Sequence, residues 1–405
     1  MTLPNPATHP QAGHAAVIES DAQALDVAEA LAEEFATGAA QRDRHRQLPF
    51  QALERFSASG LWGITVPRRF GGADVTCATL AKVIARIAQA DGSLGQIPQN
   101  HFYALEVLRV NGSQAQQQRL FSEALQGHRF GNALAEFGTR DAAQRTTRLQ
   151  QGPGGWTVHG RKFYATGALF AQRVPTSVID DQGVQQLAYL PRNAPGLEVI
   201  DDWSGFGQRT TGSGTVLLDQ VPVSPEDVVP FQASFERPTS VGPFAQILHA
   251  AIDIGIARGA YEATLAFVRE RARPWPDAGI QAATDDPLTI SDIGRVAIDL
   301  HAAEALLERA GAHLDIARSA PDAQSVAAAS LAVAAARAVG TEVSLLAGNK
   351  LIELGGARAS LAEDGLDRFW RNARVHTLHD PVRWKYHAIG NYHLNDQLPP
   401  RKGYL

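Results

Sequence analysis

Apolar residues recur with a helical period through the first third of the chain. In residues 20–41, Leu25, Ala28, Leu31, Ala32 and Phe35 fall on one stripe, and Ser20 or Asp21 stands where a cap is needed. Residues 50–59 read as a second helix, stopped by Gly60, and residues 62–66 as a short extended piece before Pro67. Residues 76–90 carry Leu80, Val83, Ile84 and Ile87 in phase. Residues 94–110 and 113–125 read as two more helices, the latter closed by Gly127. The pattern then changes. Residues 130–135, 145–150, 156–166, 176–179, 186–190, 197–200 and 214–218 read as strands, with turn signals at Gly152-Pro-Gly-Gly155 and Asp181-Gln-Gly183. Short strands at this spacing predict a small barrel or sandwich. Long helical periods return over 242–272, 287–318, 321–347 and 359–379, the signature of an antiparallel bundle. The pattern predicts an α+β chain in four parts: a flexible tail (1–16), an N-terminal helical domain (17–128), a β-barrel domain (129–238) and a C-terminal four-helix bundle (239–405).

A length of 405 residues fits several cores better than one. The net charge of −5 argues against a general nucleic-acid or membrane-surface binder. No apolar run reads as long enough to span a bilayer, and the Pro-, His- and Ala-rich start lacks the form of a secretory signal. A cytoplasmic protein is expected. Sulfur is scarce: Cys77 is the only cysteine and Met1 the only methionine. No intrachain disulfide can form. The depletion suits a protein made when sulfur is short, or one that resists oxidation.

The chemistry concentrates in Arg371-Asn-Ala-Arg-Val-His-Thr-Leu-His-Asp-Pro381, which reads as helix until the proline. On a helix His376, His379 and Asp380 share one face. His379 is the expected proton carrier, because imidazole trades protons near neutrality; a solvated helix face is the plainer reading. His376 and His379 could ligate a metal with Asp380, His387 or His393, but no standard zinc spacing supports it, and no metal is expected. Gly205-Phe-Gly207-Gln-Arg-Thr210 lacks the third glycine and the βαβ context of a dinucleotide fingerprint. Residues 155–162 lack the Lys-Ser/Thr of a P-loop, and no Gly-x-Ser-x-Gly elbow occurs.

Four stretches together resemble the acyl-CoA dehydrogenase superfamily. Pro67-Arg-Arg-Phe-Gly-Gly72 is similar to its early glycine turn. Ala133-Leu-Ala-Glu-Phe-Gly138 and Gly160-Arg-Lys-Phe-Tyr-Ala-Thr-Gly167 resemble the barrel strands that line its flavin. Leu354-Gly-Gly356 resembles its bundle motif that reaches a neighbouring subunit's cofactor, and Arg371-Asn-Ala-Arg374 the arginine run before its catalytic segment. The chain departs from the dehydrogenases in two places. His379-Asp380-Pro381 stands near the usual position of their carboxylate base. Glu353-Leu-Gly-Gly-Ala-Arg358 lacks the glutamine that precedes the glycines in their adenine-binding motif, and an arginine there suits the terminal phosphate of FMN.

These departures resemble the flavin-dependent monooxygenases that take reduced FMN from a separate reductase, among them the dibenzothiophene monooxygenases and, most closely, the sulfur-acquisition oxidoreductase family. The resemblance implies FMN contacts from Asn132, Trp203 and Ser213, and a hydroxyl near flavin N5 from Thr166. It implies a phosphate clamp from Arg273 and from Arg358 of a neighbouring subunit, and hence a homotetramer. His379 matches the family's proton-handling histidine, with His376 or Asp380 tuning it at the cofactor. His101 is a further candidate facing the substrate, against the plainer reading of a core or cap histidine. The implied activity is formation of a C4a-hydroperoxyflavin that oxygenates a small organosulfur compound in sulfur assimilation, with O2 and a flavin reductase as partners. The alternatives are an FAD-dependent acyl-CoA dehydrogenase and a non-enzymatic helical scaffold.

Overall fold

Six helices form the first domain of the computed structural model, which describes residues 15–139 and 144–405. They are α1 (Asp21–Ala36), α2 (Ala39–His45), α3 (Phe50–Ala58), α4 (Cys77–Ala90), α5 (Gly92–Asn111) and α6 (Gln114–Leu125). The expected tail of residues 1–16 lies outside the described residues apart from its last two. Ser20, and not Asp21, caps α1 by accepting from the Gln23 amide. Gly38, in the left-handed conformation, splits the helix expected over 20–41 into α1 and α2. Residues 62–66 are not extended. They run through a 3-10 turn, Leu61–Gly63, and the bend after it, where Leu61, Trp62, Ile64 and Val66 are buried. A contiguous apolar run fits a folded-over turn as well as a strand, so periodicity could not separate the two.

The second domain holds β1 (Arg148–Gly152), β2 (Gly155–Lys162), β3 (Arg173–Ile179), β4 (Gln185–Pro191), β5 (Leu197–Ile200), β6 (Thr215–Val223) and β7 (Val228–Pro230). Their order is β5-β6-β2-β1-β3-β4-β7. The pairing is mixed, with β1 and β3 parallel. The domain expected as a barrel is therefore a sheet with two edges, β5 and β7. Residues 130–135 contribute only two isolated bridges, Phe130 to Arg173 and Ala133 to Thr176.

After the short α7 (Ala233–Glu236), the chain forms α8 (Val241–Glu270), α9 (Pro287–Ser319), α10 (Ala323–Gly355), α11 (Asp367–His376) and α12 (Arg383–Asn395). The last helix was not anticipated: Trp384, Tyr386 and Leu394 lie on its exposed surface, so it has no clear apolar stripe. Contrary to the sequence reading, α10 and the turn after it are long and apolar enough to cross a membrane by length and composition. In the fold, 72% of that apolar window is buried, and α10 packs along α8 and α9 as a core helix.

His101 locks the first two domains together. It is fully buried on α5; its Nε2 lies 2.8 Å from the Trp62 carbonyl, and its Nδ1 accepts from the Phe130 amide at 3.1 Å. Both ring nitrogens are spent on main chain, which leaves none for the substrate role considered above. Burial holds its pKa down to about 3, against the Trp62 hydrogen bond, which pushes the other way. The unfolded chain takes up this proton near pH 6.5 and the folded chain does not, so stability is lost as pH falls below about 6.5. His101 alone should cost about 1.4 kcal/mol at pH 5.5 relative to neutral pH. Urea unfolding at pH 7.5 and 5.5 measures this; the pH-dependent part should shrink by that amount in His101→Gln.

Candidate active site

A single loop brings the three domains to one place. The chain between β5 and β6 passes through Trp203, Phe206, Gly207 and Gln208. The Gln208 amide donates to Asn372 Oδ1 on α11 at 2.6 Å, and its side chain donates to the Gly92 carbonyl at the start of α5 at 3.2 Å. Its carbonyl accepts from Trp203 Nε1 at 2.9 Å and from the Thr211 hydroxyl at 3.0 Å. Gly207 is required by contact: a Cβ there would lie 1.9 Å from the Arg371 carbonyl. Arg371, one of the motif arginines, donates to the Phe206 carbonyl and pairs with Asp43 and Asp367. It is thus a structural tie.

From this loop runs a chain of buried hydroxyls. Thr211 Oγ1 lies 2.7 Å from Ser213 Oγ, which lies 2.7 Å from Thr166 Oγ1. The Gln208 carbonyl can only accept, so Thr211 spends its proton there. Thr211 must then accept from Ser213, and Ser213 from Thr166. The order leaves Thr166 Oγ1 with lone pairs only: it presents an acceptor to whatever sits beside it. Next to it Phe163, Tyr164 and Trp203 make an aromatic group, with centroids 4.8 Å apart for Phe163 and Tyr164 and 6.2 Å for Tyr164 and Trp203. Tyr164 is 46% exposed. Asn132 holds this turn rather than reaching out: its Nδ2 donates to the Tyr164 carbonyl and its Oδ1 accepts from the Leu134 amide.

His379 reaches α5 from the third domain at Gln96, four residues after the Gly92 carbonyl that Gln208 bonds. The helix stops at His376, before the expected Pro381, and His379 sits in the bend that follows. Its Nδ1 donates to the His376 carbonyl at 2.7 Å, which fixes the tautomer and leaves Nε2 as an acceptor. The Gln96 amide nitrogen on α5 lies 2.9 Å from that Nε2. The ring is accessible on its open side, yet the protein behind it is dense enough to lower its pKa below 6.5. Burial leads this shift and Arg337 adds to it; the His376 carbonyl and Asp380 oppose it. His376 stands beside His379, with ring centroids 4.7 Å apart, but the helix ends at His376, so the two and Asp380 do not form one helix face. His376 is fully buried, bonded to Asp253 and His249; Asp380 pairs with Lys385 and accepts from Gln246. Both lie behind the proton carrier.

Arg273 and Arg358 are elsewhere in the chain. Arg358 donates to the Arg271 carbonyl just past the end of α8, and Arg273 follows two residues later. His249 lies near the other end of α8. At 1.5 Å per residue the two ends of that stretch are roughly 30 Å apart. One chain therefore does not unite the arginines with His379. Gln96, His249 and Asp253 were missed by sequence reasoning. A signal existed: Gln246, His249 and Asp253 are polar positions at helical spacing in a helix otherwise buried and apolar.

The family model for the acyl-CoA dehydrogenase N-terminal domain matches residues 19–128, and that for the C-terminal domain residues 247–384. A dibenzothiophene monooxygenase of Mycolicibacterium goodii is 33% identical over 93% of this chain and 94% of its own. The chain belongs to the acyl-CoA dehydrogenase superfamily, in its flavin-dependent monooxygenase branch. A second member of the branch, the probable FMNH2-dependent monooxygenase SfnC of Pseudomonas putida, is 30% identical over 93% of this chain and 96% of its own. The FMN-bound crystal structure of TdsC from Paenibacillus sp. A11-2 superposes with a TM-score of 0.90 at 29% identity, covering 95% of this chain and all of that one. The branch's three-domain order is the one described above.

The joint at Gly207 yields a direct test. Gly207→Ala forces the loop off the Arg371 carbonyl, and overpacking of this kind costs about 1–3 kcal/mol. Urea unfolding should show that loss, together with weakened FMN binding in fluorescence titration. Full stability and affinity in the variant would deny the loop its role.

Proposed function

We propose that this protein is a two-component monooxygenase that uses reduced FMN, delivered by a separate flavin reductase, and O2 to oxygenate a small organosulfur compound in sulfur assimilation. Two observations carry the reading, an acceptor-only hydroxyl at Thr166 ordered from Gln208 and a tautomer-locked imidazole at His379, with Gln208 and His379 both bonded to the start of α5 at Gly92 and Gln96. The residues fit the group. Thr166 Oγ1, left as an acceptor, would suit the N–H that a flavin carries at N5 only when reduced. The Phe163–Tyr164–Trp203 group offers a flat apolar surface for the ring. Reduced FMN, when bound, would supply the activation of oxygen. The chain's task is then to hold the N5 proton, to move one proton at His379 Nε2, and to keep water out. An anion bound close to His379 raises the pKa that burial lowers, so cofactor binding itself arms the donor.

The dehydrogenase alternative, with FAD and an acyl thioester, needs a free carboxylate at this place. The two carboxylates that contact the histidine cluster are both committed: Asp253 to Arg337 and His376, Asp380 to Lys385. The similarity to dibenzothiophene monooxygenase and the scarcity of sulfur in the chain support the substrate class. A homotetramer belongs to the proposal because Arg273 and Arg358 reach a flavin phosphate only on another copy. The exposed Leu288, Ile290, Ile298 and Ile316 on α9 support such assembly. A cytoplasmic location completes it.

Rapid mixing of the protein loaded with reduced FMN against oxygenated buffer tests the reading. A transient flavin–oxygen absorbance that outlives free-flavin reoxidation is expected, with decay at least tenfold faster in Thr166→Ala and His379→Ala. Direct reoxidation without an intermediate would sink the proposal. Arg358→Ala should weaken FMN binding by about tenfold or more, the worth of one charge-assisted bond. Ser213→Ala should free the Thr166 proton and raise affinity for oxidised FMN relative to reduced, measured by anaerobic titration.

A further inference from the structure

Behind His379 lies a buried set of groups that the proposed chemistry does not use. Asp253 on α8 is fully buried and paired with Arg337 on α10, itself 1% exposed. Arg337 is cationic and holds the carboxylate ionised. Asp253 Oδ1 lies 2.5 Å from His376 Nδ1, so that nitrogen carries the proton and His376 Nε2 is an acceptor. His249 Nδ1 lies 3.0 Å from that nitrogen and must then be the donor. The sequence of bonds fixes the last tautomer: His249 Nε2 is bare, with no hydrogen-bond partner among the described residues. His249 is also the one member of the three that reaches any surface, at 8% against zero for His376 and Asp253. Its ring centroid is 4.6 Å from that of His379, whose own Nε2 is bare apart from the Gln96 amide.

We propose that His249 is a second proton-carrying group of this site, set next to His379, with Asp253 and His376 positioning it by fixing which of its nitrogens is free. The catalytic part rests on the monooxygenase reading; the tautomer does not. The ligand nitrogens of the three rings lie within 4.8 Å of one another, close enough for one water or a substrate group to bridge. A proton released from Nε2 of one imidazolium can pass through the bridging group to the bare Nε2 of the other ring, which leaves the pair's proton count unchanged. Two protons at once are opposed. His379 and His249 repel, and Arg337 from α10 and Lys385 from α12 add positive charge, against Asp253 on α8 and Asp380 after α11. α5 contributes only the neutral Gln96. The pair therefore titrates as a unit. A metal held by the three rings competes with this arrangement, but it would have to break the His249–His376 bond.

Nitrogen NMR of histidine-labelled, flavin-free protein tests the tautomer, with signals assigned by their loss in His249→Gln and His379→Gln. At pH 7 His249 should show a protonated Nδ1 and a bare Nε2. In His376→Gln that preference should collapse to a mixture. Asp253→Asn should do the same, but it strands Arg337 and can fail to fold, so the wild-type spectrum and His376→Gln carry the test. A protonated Nε2 in the wild type, a tautomer indifferent to His376→Gln, or uptake of one equivalent of Zn²⁺ that quenches all three signals would each overturn the proposal. With reduced FMN and substrate, His249→Gln should lower kcat about tenfold and shift its pH profile while FMN affinity stays unchanged. A rise in KM alone would assign substrate binding instead and overturn the catalytic part. Because the spectra need no flavin, failure of the monooxygenase reading leaves the tautomer result standing.

Discussion

The structure turns on the contact between Gln208 and its neighbours. One left-handed residue in a sheet-domain loop donates to Asn372 in the C-terminal bundle and to Gly92 in the N-terminal domain, and accepts from Trp203 and Thr211. Gly207 makes this approach sterically feasible, because any side chain would collide with the α11 main chain. The same carbonyl that anchors the loop also polarises the hydroxyl row ending at Thr166. Domain assembly, through the Gln208 amide and side chain, and site polarity, through its carbonyl, therefore depend on one residue. Loss of the joint would release the aromatic surface, the hydroxyl order and the alignment of His379 together.

Polarity within the site follows from bonds that allow only one direction. A carbonyl orders three hydroxyls; another carbonyl sets the His379 tautomer; an ionised carboxylate sets that of His376 and, through it, His249. Each bond is modest in net energy, but a reversed proton would leave a buried acceptor facing an acceptor, which costs about 1–3 kcal/mol. That penalty makes the arrangement specific. Desolvation also lowers the pKa of His249, His376 and His379 and so disfavours their charged forms.

Much of the fold was legible in the sequence. Helical period, the switch to strands, and the return to long helices gave the three domains, because burial on one face imposes those periods. The failures have local causes. Residues 62–66 and 130–135 are apolar runs too short to distinguish turn from strand. The helix before His379 stops at His376, where no glycine or proline marks the end. The site residues Thr166, Ser213 and His379 stand out through motifs, and the structure brings Thr166 and Ser213 into one row. For His101 the sequence left a substrate-facing reading beside the plainer core reading, and the structure favours the core one. Gln96, His249 and Asp253 were missed because a buried polar residue on a helix shows no partner in the sequence of its own helix. Their meaning appears only when α5, α8 and α11 meet.

The central claim is that these residues serve oxygen transfer from reduced FMN. The most direct measurement is product analysis under isotopically heavy O2, with the protein, FMN, a flavin reductase and NADH. The substrates would be organosulfur compounds ranging from dibenzothiophene to short-chain thioethers and sulfones. The account predicts one heavy oxygen atom in the product per turnover, with consumption of reduced flavin. A product whose new oxygen comes only from water, or turnover of an acyl thioester without O2, would contradict it.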